Sequence, residues 1–245
     1  MPRFFVPTRD IEEGQARLQG NEFRHLQRVL RLREGDRVTL FDDAGHEHAG
    51  VIHSLSPRVA AVRITATSTP ERESPIAITL YQGMPKGRKM DLVVEKATEL
   101  GVRAVMPFTS AFCAAAAPVA AGKRERWQRI ALAATKQCGR TAVPTIGATL
   151  TFTDVISEGA RHDLRLLFFE GTGIAPLASM SEMEDAPTTA AIVIGPEGGF
   201  SRDEVEMAER AGFRVVGLGP RILRTETAAL VALAIVQARW GDLHG

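Results

Sequence analysis

Residues 191–204, AIVIGPEGGFSRDE, run from an apolar stretch through three glycines flanking a carboxylate into a helix start. The apolar run reads as a strand. Ser201 followed by Glu204 is a capping box, and Gly212 sits where the helix it opens would stop. Glycines at the carboxyl end of a strand let a ligand approach the backbone closely, and in open α/β sheets that edge is where ligands bind. A tight βα turn would also ask for glycine, but for one rather than three.

The surrounding chain agrees with that class. Further apolar runs at 76–81, 103–108, 165–169, 190–194 and 214–218 alternate with helical patterns at 90–100, 123–138, 201–211 and 226–240. This alternation predicts an α/β domain with a mostly parallel sheet. The last helix, ETAALVALAIVQARW, is apolar on nearly every face and is expected to be buried in the domain or in a subunit interface. Upstream, TATSTPERESP at 65–75 has the Ser, Thr and Pro content of a linker, so domains are expected at 1–70 and 75–245. The first is β-rich, with strands predicted at 3–6, 37–41, 48–53 and 58–65. Between its first two strands, a stripe of Phe23, Leu26, Val29 or Leu30, and Leu32 or Arg33 predicts a helix capped by Asn21 and closed by Gly35, presenting Arg24, Arg28, Arg31 and Arg33. There is no internal repeat, and the alanine run 114–117 is too short for low complexity.

A net charge of +1 hides an uneven distribution: residues 82–140 carry 11 basic and 4 acidic side chains, and residues 141–220 carry 5 and 12. A local basic excess can attract phosphate even when the whole chain is nearly neutral. Residues 1–7 hold no apolar leader and no stretch reaches the roughly 18 apolar residues a membrane span needs, so a cytoplasmic protein is expected. The two cysteines, Cys113 and Cys138, lack any ligand spacing and read as reduced thiols.

A second glycine-bearing loop, GLGPRILRTETA at 217–228, again follows a strand and opens a helix, and with 195–199 it could form two walls of one pocket. Ile222 and Leu223 would suit a flat heterocycle, and a neighbouring arginine an anionic or carbonyl-bearing substrate. Thr225 and Glu226 would serve a plain helix start equally well. Other motifs fail. Gly83–Lys89 is not a Walker loop, neither glycine loop is a GxGxxG fingerprint, and there is no GxSxG elbow. His46 and His48 share a strand face but have no third ligand in view, so they read as a solvated pair and no metal is expected.

With these residues in place, the chain resembles the ribosomal RNA small subunit methyltransferase E family, the 16S rRNA uracil-N3 methyltransferases of the SPOUT class. The likeness rests on PRFF at the start, HLQRVLRLREGDRVTLFD at 25–42, PKGRKMDLVVEKATELGVRAVMPF at 85–108, GPEGGF at 195–200 and LGPRILRTETA at 218–228. It departs at Ser110-Ala111-Phe112-Cys113, where the family commonly has Ser-Glu-Arg-Ser, and at Lys136, where a glutamate commonly precedes the glutamine.

The resemblance implies a PUA-like RNA-binding β-barrel followed by a SPOUT methyltransferase domain with a deep trefoil knot, acting as a homodimer with S-adenosylmethionine on a uridine of 16S rRNA in the small ribosomal subunit. It places the cofactor loops on Phe169 and Glu170, on Ile194, Gly195, Glu197, Gly198 and Gly199, and on Leu218, Gly219, Ile222, Leu223, Arg224 and Thr225. Gly198→Val is then expected to abolish cofactor binding with the fold intact. Uracil N3–H is weakly acidic, so Arg224 is expected to stabilise the developing anion, with Glu226 or Glu197 as proton acceptor. Arg24, Arg28, Arg31, Arg33, Lys86, Arg88 and Lys89 are expected to hold RNA phosphates. The rival readings are a ribose 2′-O-methyltransferase on transfer RNA and a non-catalytic RNA-binding assembly factor.

Overall fold

The computed structural model describes residues 1–113, 121–171, 174–177 and 185–243; the alanine run lies outside them. The chain forms two compact units, residues 1–73 with 135–143, and residues 74–134 with 144–245.

In the first unit β1 (Arg3–Phe5) is followed by a short 3-10 turn, β2 (Ile11–Glu12) and β3 (Gln15–Gln19). Helix α1 (Gly20–Arg24) continues into a π-helical turn (His25–Val29), and β4 (Arg37–Phe41), β5 (Glu47–Leu55) and β6 (Val59–Ser68) complete the set. The strands pair in the order β1-β4-β5-β6-β3-β2, antiparallel except β1 with β4. No pairing joins β1 to β2 among the described residues, so the barrel is open between them. Its interior is Phe4, Leu18, Val38, Leu40, Ile52 and Val62, residues from the buried faces of its strands, with Leu26 of the helical turn packed among them.

The sequence reading missed the β2–β3 hairpin. Its turn is Glu13-Gly14, with φ of 48° and 74°, the left-handed pair that a two-residue hairpin turn needs. The alternation in QARLQ, buried at Ala16 and Leu18, was its signal. The helix after it is shorter than predicted: it begins at Gly20 with no side-chain cap, so Asn21 is not its cap, and it ends before Arg31, whose φ of 53° turns the chain back toward β4. Phe23 and Leu26 are buried while Val29 and Leu30 are 68% and 38% exposed, so the apolar stripe persists for two turns only. The predicted linker also gives way in part, since Ala66, Thr67 and Ser68 pair with Ala49, His48 and Glu47. Neither is His48 solvated: it is buried, and Asp42 stands beside both histidines. Lys136 has its own partner within this unit, a 2.9 Å ion pair with Glu22 of α1.

The second unit runs β7 (Ala77–Gly83), α2 (Lys89–Glu99), β8 (Ala104–Thr109), α3 (Ala121–Cys138, its last turn belonging to the first unit), β9 (Thr145–Ile146), β10 (Leu150–Thr151) and α4 (Phe152–Gly159). It continues with β11 (Leu164–Phe168), β12 (Thr189–Ile194), α5 (Arg202–Arg210), β13 (Arg214–Val216) and α6 (Thr225–Trp240). The sheet is wholly parallel, in the order β10-β8-β7-β12-β11-β13, with β9 alongside β8. Residues 190–194 of β12 are all buried, as a central strand covered on both faces requires. Helix α4 was missed because its capping box uses Asp154 in place of Glu or Gln after Thr151. Helix α6 buries Thr225, Ala229, Ala232, Leu233, Val236 and Gln237, but Leu230, Val231, Ala234 and Ile235 stay half-buried, so within this chain it is covered on one side only. No described helix is long and apolar enough to cross a membrane.

His162 makes a stability prediction. Burial pushes its pKa below the ordinary histidine value, against the opposing pull of the Gly159 carbonyl and of Asp163 and Glu158. Its Nδ1 lies 3.2 Å from the Gly159 carbonyl oxygen and its Nε2 3.3 Å from Thr79 Oγ1, an arrangement that suits the neutral ring. The unfolded chain therefore takes up this proton first, and stability is expected to fall as pH drops below about 6.5. Urea midpoints across that range should slope less in His162→Gln than in the parent chain; equal slopes would remove His162 as the cause.

Candidate active site

The carboxyl ends of β11, β12 and β13 lie side by side, and the loops leaving them enclose a cavity of about 860 Å³. That volume lies within the range of small-molecule sites. Each wall follows from its sequence. After Ile194, Gly195 and Pro196 pass directly against Gly83 of β7, where a Cβ would sit 2.5 Å from Pro196 N and 2.8 Å from Gly195 C. Gly199 carries a φ of +71°, and the chain then buries Phe200 against Phe108 and Phe152. Ser201 and Glu204 make the expected capping box. Glu204 Oε1 also accepts from the backbone N–H of Ala111 at 2.9 Å, so this side chain ties the 110–113 segment to the start of α5.

The third wall leaves β13 through Gly217, Leu218 and Gly219, whose φ is +96°. Gly217 exchanges backbone hydrogen bonds with Ala175 and Leu177, which lays residues 174–177 along the strand end. The loop enters α6 at Thr225, whose hydroxyl donates to the Gly195 carbonyl at 2.5 Å and accepts from Gln82 Nε2 at 2.9 Å. A buried glutamine on β7 thus joins the two glycine loops. Sequence reasoning missed both Gln82 and Gly83, which stand in an ordinary-looking strand end.

Of the residues expected at the site, Phe169, Glu170, Ile194, Gly195, Glu197, Gly199, Leu218, Gly219, Ile222, Leu223, Arg224 and Thr225 line the cavity. Gly198 is not among the lining residues. A Cβ there would meet Phe112 Cβ at 2.7 Å and its carbonyl oxygen at 2.9 Å, so Gly198→Val collides with the 110–113 segment and the expectation of an intact fold is corrected. Glu226 also lies outside the lining, one residue into α6.

Lys89, expected to hold RNA phosphate, lines the cavity. Its Nζ is 2.9 Å from Glu197 Oε1 and 3.4 Å from Glu226 Oε2. The Lys86 backbone N–H adds contacts of 3.1 and 3.3 Å to the two oxygens of Glu197. Burial alone would raise the Glu197 carboxyl, but Lys89 and these N–H donors outweigh it and hold the group below the usual carboxylate range. Glu226 Oε2 is buried and faces Lys89 at the longer distance of 3.4 Å. Lys86 and Arg88 are exposed, as are Arg24, Arg28, Arg31 and Arg33 in the first unit.

Residues 72–237 match the model of an RNA methyltransferase domain, and residues 18–65 that of an RNA methyltransferase PUA domain. The chain is 32% identical to the ribosomal RNA small subunit methyltransferase E of Bacillus subtilis, over 100% of this chain and 99% of that one. The chain belongs to the ribosomal RNA small subunit methyltransferase E family. A family member from Aquifex aeolicus is 34% identical over 85% of this chain and 93% of its own. Among solved structures, the Neisseria gonorrhoeae family member bound to S-adenosyl methionine superposes with a TM-score of 0.88 at 35% identity, covering 99% of each chain. A Legionella pneumophila protein solved with bound cofactor SAM gives 0.88 at 32% identity over 98% of each chain.

Proposed function

We propose that this chain transfers a methyl group from S-adenosylmethionine to N3 of a uridine in 16S ribosomal RNA of the small subunit. The observation that carries the reading is the cavity walled by three strand-end loops, with Arg224 in its lining, in a member of this family. The residues present suit the cofactor. Gly195, Gly199 and Gly219 leave backbone groups approachable, Ile194, Leu218, Ile222 and Leu223 offer an apolar cleft, and Glu170 is available to ribose hydroxyls. Bound there, S-adenosylmethionine supplies an electrophilic methyl group on a sulfonium centre.

The chain's task is then to hold the uracil in line and to manage one proton. Arg224 stabilises the negative charge that develops as N3–H is lost. Of the two candidate acceptors, Glu197 is already committed to Lys89 and Lys86, which makes it the poorer base. Glu226, whose contact with Lys89 is longer at 3.4 Å, is the better one. Lys89 lies between the two carboxylates and positions them.

Residues 1–70 are the RNA-binding module in this reading and residues 75–245 the methyltransferase domain. The half-buried apolar side of α6 supports a homodimer. In this reading the 195–199 and 217–224 loops, joined by the Thr225–Gly195 hydrogen bond, belong to the trefoil knot that the family implies. Ribosomal RNA as substrate supports a cytoplasmic location. Radiolabelled methyl transfer to purified small subunits, followed by nucleoside mass spectrometry, tests the reaction: N3-methyluridine is expected, whereas a 2′-O-methyl nucleoside, or no transfer and no cofactor binding, would establish one of the rival readings.

Arg24, Arg28, Arg31 and Arg33 are exposed. They make no ion pair among the described residues. As phosphate contacts, each should steepen the salt dependence of RNA binding, and its replacement by alanine should reduce the slope of log K against log salt by about one. An unaltered slope excludes the residue concerned.

A further inference from the structure

The hairpin that joins β4 to β5 gathers three side chains that this function leaves unused. Asp42 Oδ1 accepts the backbone N–H groups of Ala44 and His46, each at 2.9 Å, which fixes the carboxylate and leaves its other oxygen facing the two histidine rings. That oxygen, Oδ2, lies 3.0 Å from His46 Nδ1 and 3.3 Å from His48 Nε2. The three ligand atoms all fall within 4.8 Å of one another. Around a tetrahedral cation with bonds of about 2.0–2.2 Å, neighbouring ligand atoms stand about 3.3–3.6 Å apart, so two of the three spacings are near what such an ion would set.

The surroundings suit a coordination site. His48 Nδ1 lies 2.9 Å from Thr67 Oγ1, which holds the ring with Nε2 toward Asp42, the outer contact that orients imidazole ligands. The side chains of Asp42 and His48 are 2% and 7% exposed, whereas His46 is 42% exposed and leaves solvent access on one side. Two imidazole nitrogens and one carboxylate oxygen suit zinc and its first-row neighbours, and suit poorly the all-oxygen preference of calcium and magnesium.

We propose that Asp42, His46 and His48 form a binding site for a divalent cation of the zinc type, with water completing the coordination shell beside His46. The ion ties the loop end of β4 to the start of β5, so its binding stabilises the first unit. The site is independent of the proposed methyl transfer.

The test uses the full, untagged chain stripped of metal by chelation and titrated with zinc chloride by calorimetry, and with cobalt(II) followed by its visible absorption. Stoichiometric zinc uptake, tetrahedral cobalt bands and a zinc-dependent rise in melting temperature are expected. His46→Ala, which removes a half-exposed ring and should leave the fold intact by circular dichroism, should weaken zinc binding by about 100-fold; Thr67→Val should weaken it by about tenfold. Without a cation, Asp42 Oδ2 accepts hydrogen bonds from both rings, and the same geometry is a plain polar cluster. Absence of zinc heat and of cobalt bands, or zinc binding that survives in folded His46→Ala, would overturn the proposal.

Discussion

Arg224→Ala is expected to lower turnover on ribosomal RNA by about two to three orders of magnitude, while cofactor affinity measured by calorimetry stays within a few-fold of the parent chain. The size follows from where the charge acts. The uracil ring must part with a weakly acidic proton inside a cavity partly closed to water, where a fixed cation beside the developing anion counts for more than it would in solvent. Arg224 occupies the cap position of α6 but makes no capping hydrogen bond through its side chain, so truncation should leave Thr225, the Gly195 contact and the helix start in place. Arg224→Lys, which keeps the charge and loses the planar fork, should fall between the two. Unchanged turnover would remove Arg224 from the mechanism, and a loss confined to cofactor affinity would reassign it to binding.

Gly83→Ala is expected to cost about 1–3 kcal/mol of stability and to weaken cofactor binding by more than tenfold. The added carbon would stand 2.5 Å from Pro196 N, 2.6 Å from Pro196 Cδ and 2.8 Å from Gly195 C, all parts of a stiff segment with no flexible side chain to swing away. Gly83 cannot retreat easily either. Gln82 is paired with Ile194 of β12, and Gly83 with Phe108 of β8, so β7 is held from both sides. The 195–199 loop must therefore move, and with it one wall of the cavity. Urea denaturation and calorimetry read the two effects separately; a variant of parent stability and affinity would show that the close approach is relieved at no cost.

Both predictions rest on residues whose visibility in the sequence differs sharply. Arg224 was legible because it sits in a loop that follows an apolar run and precedes a helix, a local pattern with a physical meaning. Gly83 and Gln82 were not, because what makes them matter is the backbone of residues 195–196 and the hydroxyl of Thr225, contributed from more than a hundred positions away. Lys89 shows the same limit in another form. Its place in a basic run suggested phosphate, and its contacts with Glu197 and Glu226 put it at the cavity. The histidine pair at 46 and 48 was discounted for want of a third ligand, and Asp42 was only four residues upstream. The turn that folds its carboxylate back toward both rings is held by Ala44 and His46 N–H groups, which no side-chain spacing announces.

Sequence alone determined the class of the fold, the order of most of its strands and helices, and the two glycine loops, because hydrophobic periodicity, capping boxes and glycine placement are set by neighbours along the chain. Only the tertiary structure decided that these loops close on one cavity, that β7 supports them through Gly83 and Gln82, and that residues 135–143 join the first unit. Those outcomes depend on which strands become neighbours in a parallel sheet and on charges that meet across it. Such pairings are chosen by the packing of the whole domain, and no window of sequence contains both partners.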